Sequence, residues 1–265
     1  MTDWLAINRG HAPLIVSIPH AGTDVPDDIP DALQDLSRAK HDADHHVDHL
    51  YAFASEMNAT ILHTAISRTV IDVNRDPSGH SLYPGQATTG LCPTTCFDGT
   101  RLYKTGREPD EAETERRRVR YFNPYHTALT AEIGRLRESH PVVVVYDAHS
   151  ILSHVPRLFD GELAQFNIGS FDGKSCSSDL TTALALACTS DTHVINGRFK
   201  GGWITRHYGD PVKGIHAIQM ELAMRGYLDE KGDWPPKWDG SRAAPLQSTL
   251  RKILTACLTF AKDAQ

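Results

Sequence analysis

Residues 141–150 read P-V-V-V-V-Y-D-A-H-S. Four consecutive valines are apolar on both faces of any strand they form. Strands buried on both faces belong to parallel α/β sheets, with helices covering each side. Directly after the valines stand Asp147, His149 and Ser150. Ligands of open α/β sheets bind beyond the carboxyl ends of the strands, so His149 falls where chemistry is expected.

Working outward, a helix should start at Asn123-Pro124 and lead into the valine strand. Asn123-Pro124 has the form of a helix start, with Asn as N-cap and Pro in the first turn, and Leu129, Ile133 and Leu136 supply a buried stripe. Residues 13–19, P-L-I-V-S-I-P, read as another buried strand, ending in His20, Ala21 and Gly22. Residues 59–64, 69–73, 193–195 and 215–222 are further strand candidates. Helices are expected over 31–40, 47–54, 110–119, 177–190 and 246–261. Helix and strand in alternation give parallel βαβ units and an α/β fold. No composition break divides the chain, so a single domain over 1–265 is expected.

Two stretches resist this pattern. Residues 78–109 are rich in Gly, Pro, Thr and Ser without periodicity, as functional loops or lids are. Residues 196–209, N-G-R-F-K-G-G-W-I-T-R-H-Y-G, read as a loop or hairpin presenting Arg198, Lys200, Arg206 and His207. The G-K-S at 173–175 is no P-loop, because only three residues separate Gly169 from Gly173.

The formal net charge of −6 and pI near 6.2 argue against nucleic acid or an acidic membrane surface as partner. No stretch approaches the ~18 apolar residues of a membrane span, and the N-terminus lacks the basic and apolar regions of a signal peptide, so a cytoplasmic enzyme is expected. Five cysteines are an odd number for a disulfide framework. Cys92 and Cys96 lack the second pair that a structural zinc site needs.

His20 and His149 end two strands that could be neighbours, and neutral imidazoles are common ligands of catalytic zinc, which usually takes three protein ligands. Asp44, at the head of the 47–54 helix, is a candidate third ligand on the metal reading and an N-cap on the plainer one. Asp147 would point to the same side as His149 and orient its ring. Alternation in I-H-A-I-Q-M-E-L places Gln219 and Glu221 opposite Met220 and Leu222, and Glu221 would serve as base. Arg68, Arg75, Arg198 and Arg206 suit a substrate with carboxylates. A serine hydrolase using Ser150 is the rival, weakened because adjacent strand residues face opposite ways and no G-x-S-x-G elbow occurs. A non-catalytic module binding an acidic ligand is the third reading.

S-I-P-H-A-G (17–22), D-A-D-H-H-V-D-H-L-Y (42–51), S-R-T-V-I-D-V-N-R (67–75), D-A-H-S-I (147–151), the 196–209 segment and Q-M-E-L (219–222) together resemble the N-formylglutamate amidohydrolases. The resemblance runs from about residue 13 to 228. It implies a phosphorylase/hydrolase-like three-layer α/β/α sandwich with a mostly parallel mixed sheet, distantly similar to zinc carboxypeptidases and aspartoacylases. It implies a metal-dependent amidase, using Zn2+ or another divalent metal, that splits N-formyl-L-glutamate into formate and L-glutamate at the end of a histidine-degradation route. Carried over by position, His20, Asp44 and His149 become metal ligands, Glu221 the general base, and Arg75 the stabiliser of the oxyanion. Asn74-Arg75 resembles the Asn-Arg pair that aspartoacylase-like enzymes use on substrate, and Arg68, Asn74, Asn196, Arg198 and Arg206 are expected to bind the substrate. There are departures. The aspartoacylases and carboxypeptidases have a Glu ligand three residues after the first His, where this chain has Thr23, so Asp42 and Asp48 rival Asp44. His45 stands where the family has Trp, and could itself reach the metal. The substrate could also be another N-acylated acidic amino acid.

Overall fold

The computed structural model describes residues 4–188 and 192–263. Its strands are β1 (Leu5–Asn8), β2 (Leu14–Ile18), β3 (Thr60–Thr64), β4 (Val143–Ile151), β5 (Phe166–Gly169), β6 (His193–Ile195) and β7 (Ile215–Ala223). They form one mixed sheet in the order β1-β3-β2-β4-β7-β5-β6. The valine strand β4 lies at the centre, parallel to β2 on one side and β7 on the other. Every one of its residues is buried. Antiparallel pairing enters through β1 against β3 and β5 against β7.

The helices are α1 (Val47–Leu50), α2 (Glu111–Arg117), α3 (Asn123–Arg137), α4 (Ser178–Ala187), α5 (Trp203–Tyr208) and α6 (Gly240–Asp263). Because successive strand residues face opposite ways, β4 feeds two cores. Val144, Tyr146 and Ala148 pack with Leu50, Leu180, Leu184, Leu250 and Leu254 from α1, α4 and α6. Val143 and Val145 pack with Tyr125, Leu129, Ile133, Ile204 and Tyr208 from α3 and α5. The result is the expected three-layer α/β/α arrangement. No described helix is long and apolar enough to cross a membrane.

Several local expectations are corrected. Residues 69–73 are a turn rather than a strand, because Asp72 accepts the Asn74 N–H and donates its own N–H to the Leu91 carbonyl instead of to a strand partner. Asn123 is not an N-cap: a π turn over Arg118–Phe122 carries α2 straight into α3, and Asn123 has helical angles. Residues 31–40 hold only two short 3-10 turns. Residues 166–169, just before the stretch that ends in G-K-S, form a strand that the sequence did not suggest, β5. Part of 196–209 is the helix α5. The last helix begins at Gly240, since the Asp239 side chain accepts the N–H groups of Ser241 and Arg242 and starts it before Pro245. Of the helix expected over 177–190, residues 189 and 190 lie outside the described residues.

Candidate active site

Parallel pairing sets Asp147 beside Gln219 and His149 beside Glu221 on adjacent strands. All four occupy the same face of the sheet, at its carboxyl edge, because their parity matches Val143, Val145 and Ala217. His20 follows the end of β2, the strand on the other flank of β4. Asp44 is brought in by its backbone, whose N–H donates to the His20 carbonyl at 2.9 Å. The N-cap reading of Asp44 fails: its carboxylate points away from α1, accepting the Ser150 N–H at 3.0 Å and lying 3.1 Å from His149 Nδ1.

Both histidines present Nδ1 to Asp44, His20 at 3.9 Å and His149 at 3.1 Å. Both have Nε2 against a buried carboxylate, Asp72 at 2.7 Å for His20 and Asp147 at 3.1 Å for His149. That carboxylate–histidine pairing is how metal-binding imidazoles are oriented and made more basic. The donor atoms of His20, Asp44 and His149 lie within 4.8 Å of one another, and all three residues are buried. His20 Nδ1 is buried and has no hydrogen-bond partner among the described residues. Burial first, and Arg68 second, push the His20 imidazole below its ordinary pKa, toward the neutral form that binds metals. Burial works against a charge on His149 too, but Asp147 and Asp44 outweigh it and push it well above its ordinary range. A divalent cation among these groups would supply the positive charge that a proton on His149 otherwise provides. The donor set therefore fits a metal ion. Asp42 and Asp48 do not join it. Asp42 accepts the Phe97 N–H, and Asp48 lies beside His49 at the surface. His45 stands apart as well, edge-on to Trp234.

Glu221 lies with His20 and His149 in the lining of one cavity, together with Arg68, Asn74, Arg75, Arg198 and Gln219. Burial pushes its carboxyl up to about 8. Tyr83, residues 87–89, Phe97, Leu158 and Phe199 supply further wall. Arg68 is committed to acids, donating to Asp72 at 2.7 Å and Asp44 at 3.4 Å beneath the Phe97 ring. Arg75 approaches Asp72 and donates to Thr89. Arg198 donates to the carbonyls of Leu158 and Ala87. Asn74 reaches Asp147 and His149 with its amide nitrogen and accepts the Ile204 N–H, so it joins the site to α5.

Two expected substrate-binding residues are absent from the cavity lining. Asn196 is spent on a turn, accepting the Ser170 N–H and donating to the Ser170 hydroxyl. Arg206 lies over the rings of Tyr83 and Phe171 and donates to the Gly201 carbonyl. Ser150 is no nucleophile in this arrangement: its hydroxyl is hydrogen-bonded to Tyr227 at 2.7 Å, on the face opposite His149. Asp72 was missed. Its carboxylate joins His20, Arg68 and Arg75, and its place inside the strand candidate 69–73 concealed it. Tyr83 was also missed. It ties residues 78–90 to 196–209 by donating to the Gly201 carbonyl at 3.0 Å, beneath Arg198 and Arg206.

Comparison with known proteins adds three findings. A family model described as N-formylglutamate amidohydrolase matches residues 12–228. The chain is 44% identical to an N-formylglutamate deformylase of Pseudomonas putida, over 99% of this chain and 98% of that one, and 40% identical to one of Pseudomonas aeruginosa, over 99% of each. Its fold is similar to the crystal structure of an N-formylglutamate amidohydrolase from Ralstonia eutropha JMP134, with a TM-score of 0.81 and 24% identity over 99% of both chains.

Proposed function

This chain belongs to the N-formylglutamate amidohydrolase family, and on that premise we propose that it hydrolyses N-formyl-L-glutamate to formate and L-glutamate. It is an amide hydrolase. The observation that carries the reading is the juxtaposition of His20, Asp44 and His149 with Glu221, under a cavity that Arg75 and Arg198 also line. His20 Nδ1, His149 Nδ1 and an Asp44 oxygen would hold the metal, zinc by expectation. When bound, such an ion supplies Lewis-acid polarisation of the amide carbonyl and of the attacking water.

Glu221 takes a proton from that water as its oxygen attacks the formyl carbon, and returns it to the amide nitrogen as the C–N bond breaks. Arg75 places its guanidinium toward the charge developing on the carbonyl oxygen. Arg198, with the remaining edge of Arg75, takes the substrate carboxylates. Arg68 balances Asp44 and Asp72, so its part in substrate binding is indirect. The cavity is shared by apolar groups such as Phe97 and Phe199, which exclude water and leave room for a small acyl group. We place the reaction at the end of a histidine-degradation route, in the cytoplasm, as a further part of the proposal.

The test is formate release from N-formyl-L-glutamate, N-formyl-L-aspartate and N-acetyl-L-glutamate, before and after chelation and after restoring zinc. The expected result is release from the formylated glutamate, lost on chelation and recovered with metal. Preference for the aspartate or acetyl compound would move the substrate to a neighbouring N-acyl amino acid. Full activity in the chelated protein would remove the metal from the mechanism.

A further inference from the structure

Gln219 lies on β7 two residues before Glu221, and its side chain is buried at 4% exposure. A buried amide is costly unless both ends are hydrogen-bonded. Here both are. Its Oε1 accepts the Gly202 N–H at 2.7 Å, and its Nε2 donates to Glu221 Oε2 at 3.1 Å. A backbone N–H can only donate, so it fixes which end of the amide is oxygen. The amide cannot flip, and the group that it presents to Glu221 is always a donor.

Gly202 is itself keyed in place from the other side. A Cβ there would come within 2.5 Å of the Asn74 side chain. The turn leading into α5 is thus gripped between Gln219, which touches Glu221, and Asn74, which touches His149. Among the described residues no hydrogen bond reaches the other oxygen of Glu221, Oε1.

We infer that Gln219 is a positioning residue for the reaction. It pins Oε2 of Glu221 as an acceptor and leaves Oε1 as the oxygen that takes the water proton and hands it to the leaving nitrogen. This rests on the reading of Glu221 as the base. One proton is taken and the same proton returned, so the carboxylate is restored after each turnover.

The test compares Gln219→Met, which removes both hydrogen bonds at similar volume, with Gln219→Glu. The second keeps an oxygen for the Gly202 N–H but replaces the donor to Glu221, so it covers the case in which the first variant fails to fold. With N-formyl-L-glutamate as substrate, both variants should lose about 10- to 100-fold in kcat, the usual effect of removing a group that orients a catalytic one. KM should stay within about threefold. In a Glu221→Gln background, Gln219→Met should change the residual formate release by less than about twofold, because there is no base left to position. Unchanged kcat with a raised KM would overturn the inference and leave Gln219 as a prop for the 201–208 segment. An equal loss with and without Glu221 would overturn it too. Near-normal turnover in Glu221→Gln alone would instead refute the base, which separates the two failures.

Discussion

The floor and the roof of the cavity handle charge in opposite ways. On the floor, His20, Asp44, Asp72, Asp147, His149 and Arg68 neutralise one another at 2.7–3.9 Å. Most of them stand at strand ends or on the turns directly after, and they are nearly inaccessible to solvent. In the roof, Arg198 faces aromatic rings and backbone carbonyls and pairs with no carboxylate among the described residues, while Arg206 backs it from outside the lining, over Tyr83 and Phe171. Paired buried charge gives fixed geometry for ion and proton chemistry. Guanidinium groups without a carboxylate partner are suited to receive one from a substrate. The difference teaches that the floor balances its charges within the protein, whereas Arg198 in the roof is held by neutral groups and keeps its charge unbalanced.

The largest expected effect strikes the floor. His149→Ala should remove a metal ligand and leave Asp44 and Asp147 facing each other without the imidazole between them. Turnover should fall to background, and elemental analysis should show a protein depleted of metal. A full zinc complement in that variant would erase the proposed role of the floor.

An intermediate effect is expected in the roof. Arg198→Met keeps an apolar side chain but deletes the guanidinium that lies over Tyr83, and with it the charge. Hydrogen bonds to charged groups contribute about 1.5–3 kcal/mol, so KM for N-formyl-L-glutamate should rise about 10- to 100-fold, with kcat changed only a few-fold. If kcat fell while KM held, Arg198 would belong functionally with the floor, and the contrast between the two regions would break.

The smallest effect is expected at Asn196, where φ is 51° and the side chain closes a turn with Ser170. Asn196→Ala should lower stability by about 1–2 kcal/mol, from the left-handed backbone and the lost hydrogen bonds. Thermal unfolding would register that change, while kcat/KM stays within about twofold. A large rise in KM would return Asn196 to the substrate site.

Much of the floor was legible before any coordinates. The valine run announced β4, the strand end announced His149, and alternation put Gln219 and Glu221 on a common face. These are local inferences, since a strand's period of two assigns sides by counting. Asp44 was legible only as one of two readings. Whether it caps α1 or faces His149 depends on a chain reversal at residues 43–46, where His46 takes a left-handed conformation. Asp72 was hidden because V-I-D-V has the composition of a strand, and only its pairing with Leu91 and Arg68 turns it aside.

The roof was less legible. Its arginines stood out as cations suited to carboxylates, but what holds them in place did not, and Tyr83 stood out only as part of a loop-rich stretch. Tyr83 meets Gly201 across 118 residues, and Arg198 meets Ala87 across 111. Hydrophobic periodicity and strand parity act within a few residues, so they settled the α/β class, the central strand and the side from which its polar residues emerge. Partners contributed by distant loops have no period to betray them. Which arginine is balanced by acids, which faces only carbonyls and rings, and which amide meets Glu221 were decided only when the chain closed on itself and each buried polar group took the nearest complementary one.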